Sequence, residues 1–283
     1  MIKQYKISVP KSTLNDIYKR VREFPWKDAQ NMSGWEYGTN LNYLKSISKY
    51  WISKYNWKKF ENKINSFKNY KTKVEDINLH FIFEKSKNPN SRPLLLLHGW
   101  PGSISEFLNI IPRLAHPEKY GGKIEDGFDV IVPSLPGFGF SSQIKKALGP
   151  RKIGKILNKF MVKNLGYKNY FVQGGDWGAT IAGWIGLDSS KNCKGIHINC
   201  LPLRHPKGPK NSKEKKWEKK FNFDQIMQEG YRTQQATKPQ TLSYAMIDSP
   251  VGTAAWILEK FHGWSHLNNC LLYTSDAADD DVR

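Results

Sequence analysis

Asp176 stands in the run Tyr170-Phe-Val-Gln-Gly-Gly-Asp176-Trp-Gly178, where an apolar strand pattern stops and a helical pattern begins near Ala179. The glycines at 174 and 178 leave room for a side chain held up on a sharp, strained turn. That is the layout of a nucleophile elbow, here with a carboxylate as the nucleophile. Without that turn, Asp176 would read as an ordinary helix N-cap.

A second segment, Leu94-Leu-Leu-Leu-His98-Gly-Trp-Pro-Gly102, is a buried-type strand running into His-Gly-x-Pro. A loop of this kind supplies a backbone amide to an oxyanion, and the Trp100 N–H is the candidate donor. The N–H of Trp177, directly after the nucleophile, is the other. His98 reads as a loop-holding residue rather than a base, and Gly99 and Pro101 complete the supporting turn. A third segment, Val132-Pro-Ser-Leu-Pro-Gly-Phe-Gly-Phe-Ser141, specifies a sharp turn after a strand and nothing more.

In this order the three segments resemble the epoxide hydrolases of the microsomal and juvenile-hormone type. Trp35-Glu-Tyr-Gly-Thr-Asn40 with Tyr50-Trp51 resembles that family's amino-terminal helical domain. Gly230-Tyr231, Thr237-Lys-Pro239 and Asp248-Ser-Pro-Val-Gly252 resemble the start of its lid. The resemblance implies that Asp176 attacks an epoxide carbon to form an ester, while Tyr231 protonates the departing alkoxide. Water then cleaves the ester, with the Trp100 and Trp177 amides holding the oxyanion, and a vicinal diol leaves. The partners implied are an apolar epoxide and water, with no cofactor and no metal. The side chains of Trp100 and Trp177 are expected to line an apolar pocket suited to bulky aromatic or terpenoid epoxides.

The family also uses a histidine, an acid that orients it, and a second lid tyrosine, all downstream of the lid. His197, His205, His262 and His266 do not match that histidine, so the expectation is a carboxy-terminally truncated chain that folds poorly and cannot turn over. From Cys270 the lysine-rich character gives way to CLLYTSDAADDDVR. Cys270–Asp280 resembles the in-frame translation of a transposase-type sequencing adapter, so residues 270–283 are expected to be an artefact.

The elements that must carry these residues follow from periodicity. Ser12 is expected to cap a helix bearing Leu14, Ile17 and Val21, and Asn40 a second bearing Tyr43, Leu44, Ile47, Tyr50 and Trp51. Alternation at Ile77, Leu79, Phe81 and Phe83 predicts a strand in an early hairpin. Short apolar runs near 94–97, 130–132, 170–172 and 195–199 read as buried parallel strands. Ile153, Ile156, Leu157, Phe160 and Met161 mark a helix between the runs at 130–132 and 170–172. The expected class is α/β, a mostly parallel sheet with helices on both faces as in the α/β-hydrolase fold, with the last strands missing. The expected organisation is a helical domain over residues 1–70, an incomplete core over 71–200, and the start of a lid over 201–269.

Composition limits the alternatives. Hydrophobic residues make up 39% of the 283, with ten tryptophans, which is globular rather than disordered. The formal charge of +19 invites nucleic acid or an anionic surface as partner, yet the lysines are scattered, and the denser run 207–220 also holds Glu214 and Glu218. The three cysteines form no CxxC pair, which fits a reducing compartment. No apolar run reaches membrane-span length, so the chain is expected to be soluble and cytoplasmic, or at the endoplasmic reticulum membrane if an amino-terminal anchor has been lost. The competing readings are a haloalkane dehalogenase-like hydrolase, which needs no Tyr231, and a catalytically dead hydrolase-fold carrier of apolar ligands.

Overall fold

The computed structural model describes residues 1–32, 34–200 and 207–265, with only the backbone described at 223–225 and 227. The acidic tail from Cys270, together with His205 and His266, lies outside these residues. The chain divides into two compact units, Met1–Ser8 with Trp57–Leu203, and Val9–Asn56 with Arg204–Arg283. The division differs from the expected boundary at residue 70, because the first eight residues and Trp57–Leu203 belong with the sheet.

The first unit is a seven-stranded sheet of β1 (Lys3–Gln4), β2 (Asn69–Val74), β3 (Ile77–Glu84), β4 (Arg92–Leu97), β5 (Phe128–Pro133), β6 (Tyr170–Gly174) and β7 (Cys193–Ile198). Their spatial order is β1-β2-β3-β5-β4-β6-β7. The pairs β1–β2, β2–β3 and β3–β5 are antiparallel, whereas β5–β4, β4–β6 and β6–β7 are parallel. The sheet is therefore mixed rather than mostly parallel. Its front half is a hairpin and its back half is wound by crossovers.

Both faces of the sheet are covered. On one, Leu79, Phe81, Leu95, Leu97, Ile131 and Val172 pack against Ile153, Ile156, Leu157 and Phe160 from α5 (Pro150–Lys159) and the π-helical segment after it. Ile181 and Ile185 from α6 (Trp177–Asp188) complete that cluster. On the other, Ile82, Leu96, Val130 and Val132 meet Ile64 of α3 (Trp57–Asn65), the 3-10 turn Ile104–Phe107, and Ile111 of α4 (Ile111–Ala115). Coverage on both faces explains why β3 buries Ile82 and His80 as well as Leu79 and Phe81. His80 is fully buried, with Nδ1 2.9 Å from Ser134 Oγ and Nε2 3.0 Å from Asn69 Oδ1.

The second unit is helical. It is built from α1 (Lys11–Arg22), α2 (Leu41–Ser53), α7 (Ser212–Gln228), α8 (Gly230–Thr237), α9 (Pro239–Asp248) and α10 (Pro250–Trp264). Val21 of α1, Leu44 of α2 and Val251 of α10 form its buried centre, with Trp26, Trp51 and Leu258 against them. Asn40 caps α2 by accepting the Tyr43 N–H at 3.0 Å. Ser12 does not cap α1, because the helix already begins at Lys11 with Pro10 as its N-cap, so Ser12 lies inside the first turn. Trp35 stacks on His262 with ring centroids 3.9 Å apart, which ties α10 to the segment before α2.

Candidate active site at the elbow after β6

The elbow follows from packing. Gly174 ends β6 and Gly178 lies in the first turn of α6; a Cβ on Gly174 would overlap the Gly178 backbone, and one on Gly178 would overlap the Leu97 carbonyl of β4. Only hydrogens fit at these crossings, so strand and helix close tightly and the residue between them is thrown outward. That residue is Asp176, at φ 51° and ψ −123°, one of two non-glycine residues at positive φ among the described residues. Such a conformation costs of order 1–3 kcal/mol and persists only where the surroundings hold it. Asp176 does not cap α6 with its side chain; the carboxylate points elsewhere.

It points at the loop after β4. The Trp100 N–H donates to Asp176 Oδ1 at 2.8 Å. Gly99 lies against the same carboxylate, where a Cβ would overlap Asp176 Oδ1. The Trp100–Pro101 peptide is cis. Trp177 opens α6, so its N–H is among those with no intrahelical acceptor. Trp177 is 47% exposed and Trp100 is half-buried, so neither residue is enclosed in this unit.

His98 is buried completely. Its Nε2 accepts the Leu135 N–H at 3.1 Å, which leaves the ring proton on Nδ1 to donate to the Gly99 carbonyl at 3.0 Å. Burial pushes its pKa below the usual histidine value, outweighing the Gly99 carbonyl and the Asp176 charge, which raise it. Both ring nitrogens are therefore committed to the backbone, and the imidazole is neutral at neutral pH.

One residue near this loop was not singled out from the sequence. Glu106 follows Ser103 by three positions, the spacing of a capping box, and that is the only signal the sequence carries for it. Its carboxylate lies beside Gly102, where a Cβ would overlap Glu106 Oε1, and burial raises its pKa while the nearby Gly99 and Ser103 amides lower it. Tyr231 belongs to the other unit, on α8. Its ring meets Trp264 edge-on at 5.0 Å between centroids, and the Lys260 ammonium lies 4.9 Å over its face. His197 lies on β7 opposite Gln173.

Comparison with known proteins agrees with this arrangement. Residues 2–107 match the family described as epoxide hydrolase N terminus, and residues 92–246 match the alpha/beta hydrolase fold. Epoxide hydrolase 1 of Oryctolagus cuniculus is 36% identical over 288 residues, covering 94% of this chain and 63% of that protein. The Aspergillus niger epoxide hydrolase superposes with a TM-score of 0.82 at 29% identity, over 92% of this chain and 69% of that one. The juvenile hormone epoxide hydrolase of Bombyx mori superposes at 0.77 with 33% identity, over 93% and 64%. The chain spans 61–63% of the length of the first curated relatives it matches. An aspartate elbow, an amide loop aimed at it and these two matched regions together place the chain in the epoxide hydrolase family of the α/β-hydrolase fold.

Proposed function

We propose that this protein opens epoxides through an ester on Asp176. The observation that carries the reading is the Trp100 N–H 2.8 Å from Asp176 Oδ1, on a turn that presents the carboxylate rather than using it as a cap. In the first step a carboxylate oxygen attacks an epoxide carbon, the C–O bond breaks, and the alkoxide takes a proton from the Tyr231 hydroxyl. In the second, water adds to the Asp176 carbonyl carbon. The oxygen that gains charge is the one the Trp100 amide already faces, with the Trp177 amide as second donor. Collapse restores the carboxylate and releases a vicinal diol, one water proton leaving on the diol and the other returning to the Tyr231 oxygen.

His98 is not the base of the second step, since its Nε2 is occupied by the Leu135 N–H and its Nδ1 proton by the Gly99 carbonyl. Named relatives act on epoxides, one group on juvenile hormone, and a bulky apolar epoxide is the substrate class proposed here.

The test is a single-turnover reaction with an aryl epoxide in water enriched in oxygen-18, followed by peptide mapping. The expected result is a mass adduct on Asp176 and, on its hydrolysis, label in the Asp176 carboxylate. Label in the diol alone, with no adduct at any time, rejects the ester. Bromide release from a bromoalkane without epoxide opening would instead favour dehalogenation.

A further inference from the structure

The apolar stripe of α2 is interrupted at one place. Leu44, Ser48 and Ile52 follow at intervals of four and share the helix face that packs against Val21 of α1. Helical periodicity calls for a large apolar residue at 48, and a serine stands there. Beside its short side chain is a cleft of about 310 Å³, with Val21, Trp26 and Ile52 as apolar walls. Ser48 lines it and is only 4% exposed. The other two serines of α2 return their hydroxyls to the carbonyl one turn back, Ser46 to Asn42 at 2.9 Å and Ser53 to Lys49 at 2.6 Å. The Ser48 hydroxyl has no hydrogen-bond partner among the described residues, a costly state for a buried polar group. The rim of the cleft is cationic. Arg22, Lys45 and Lys49 are exposed there, and none of them pairs with an acid among the described residues. Lys45 and Lys49 are four apart, a like-charge spacing that weakens a helix slightly, and α2 has no acidic residue to offset it.

We propose that the cleft between α1 and α2 is a binding site for a fatty carboxylate. The carboxylate sits among Arg22, Lys45 and Lys49 and accepts the Ser48 hydroxyl, which adjoins both lysines on the helix surface. The hydrocarbon chain runs over Val21, Trp26 and Ile52. An inorganic anion would satisfy the rim and leave the apolar walls wet, whereas a neutral hydrocarbon would cover the walls and leave three cations and a hydroxyl unmatched. An amphipathic anion answers both. The volume stands at the lower end of the range for small-molecule sites, which suits a single medium-length chain better than a fused-ring ligand. Every lining residue belongs to Val9–Asn56, so the site is independent of the reaction at Asp176.

The test is calorimetric titration of the full chain with dodecanoate below its micellar concentration. Saturable binding is expected, and dodecanol and dodecyltrimethylammonium, which keep the chain and change the head, should bind at least about tenfold more weakly. A dodecanoate carrying bromine on its chain should quench tryptophan fluorescence, and the quenching should fall in Trp26→Phe. The double variant Lys45→Gln/Lys49→Gln should weaken binding about tenfold, and Ser48→Ala about threefold. Ser48→Leu completes the apolar stripe and fills the cleft, so it should abolish binding while leaving thermal stability equal or higher. If Ser48→Leu does not fold, the double lysine variant, confined to the surface, decides in its place. Absence of saturable binding overturns the proposal, as does equal binding of dodecanol, undiminished binding in the lysine variant, or binding retained by a folded Ser48→Leu. Retention on phosphatidylglycerol vesicles through the same two lysines, with no binding of dodecanoate, would assign the rim to a lipid surface and also overturn it.

Discussion

The Trp100 N–H donates to Asp176 Oδ1 at 2.8 Å, although 76 residues of chain separate the two. The bond joins the loop after β4 to the elbow after β6, two strands that are neighbours in the sheet with Leu97 opposite Gly174. Register therefore sets the site: a shift of one residue along this pair would move the amide away from the carboxylate.

Asp176→Asn should lower adduct formation by about 10⁴-fold while leaving the fold intact, since the amide is isosteric but not nucleophilic. Intact-mass measurement after incubation with an aryl epoxide checks this. The strain at φ 51° gives a companion outcome. Asp176→Gly should be more stable than Asp176→Ala by about 1–2 kcal/mol, because both lose the carboxylate and only glycine accepts the turn freely.

Gly178→Ala should destabilise the first unit by about 3 kcal/mol, because the new methyl overlaps the Leu97 carbonyl and the backbone has to part. A urea unfolding midpoint within error of the wild type would show that α6 and β4 are not packed as closely as described.

Tyr231→Phe should keep its ring contacts with Trp264 and Lys260 and hence the folding of its unit. It removes the hydroxyl that gives the proton, so adduct formation, followed by intact-mass measurement, should slow by about 10²-fold. An unchanged rate would remove Tyr231 from the mechanism.

Asp129 is buried and accepts the Ser86 N–H at 3.0 Å, the Ser91 hydroxyl at 2.8 Å and the Tyr167 hydroxyl at 2.7 Å. Tyr167→Phe leaves the second carboxylate oxygen without its phenol, at a cost of about 2 kcal/mol. Denaturant unfolding at neutral pH measures it.

His80 gives the acid limb of stability. Burial, with a smaller push from Lys71, lowers its pKa to about 3 from 6.5. Above pH 6.5 both folded and unfolded chains hold it neutral, and it contributes no pH dependence. Below that the unfolded chain takes up a proton the folded one refuses, so stability falls by about 1.4 kcal/mol per pH unit until about pH 3. His98, lowered in the same direction, adds to the slope. Unfolding measured from pH 7 down to pH 4 should show the decline, and His80→Gln should flatten it.

The parallel strands were legible because buried runs such as Leu94–Leu97 and Val130–Val132 have no other use in so polar a chain. The elbow was legible because glycines at 174 and 178 bracket a charged residue where a strand pattern ends. His80 was not, since alternation along β3 assigns it to a wet face and only the covering of that face by α3 and α4 reverses the assignment. The split of the first 56 residues was hidden for a related reason. α1, α2 and α3 all carry one apolar stripe, and the stripe does not say which core it joins.

The pairing of Lys3 with Lys71 has a consequence for how the chain comes together. β1 lies at an edge of the described sheet, yet its partner follows only after the whole Val9–Asn56 excursion has been made. During synthesis that strand must wait unpaired, and its docking closes a long loop late, a step that low local contact makes slow. The same threading means that no single cut frees either unit: a protease nick between Ser8 and Val9 would strip a strand from one while leaving the other's helices covalently tied to the sheet.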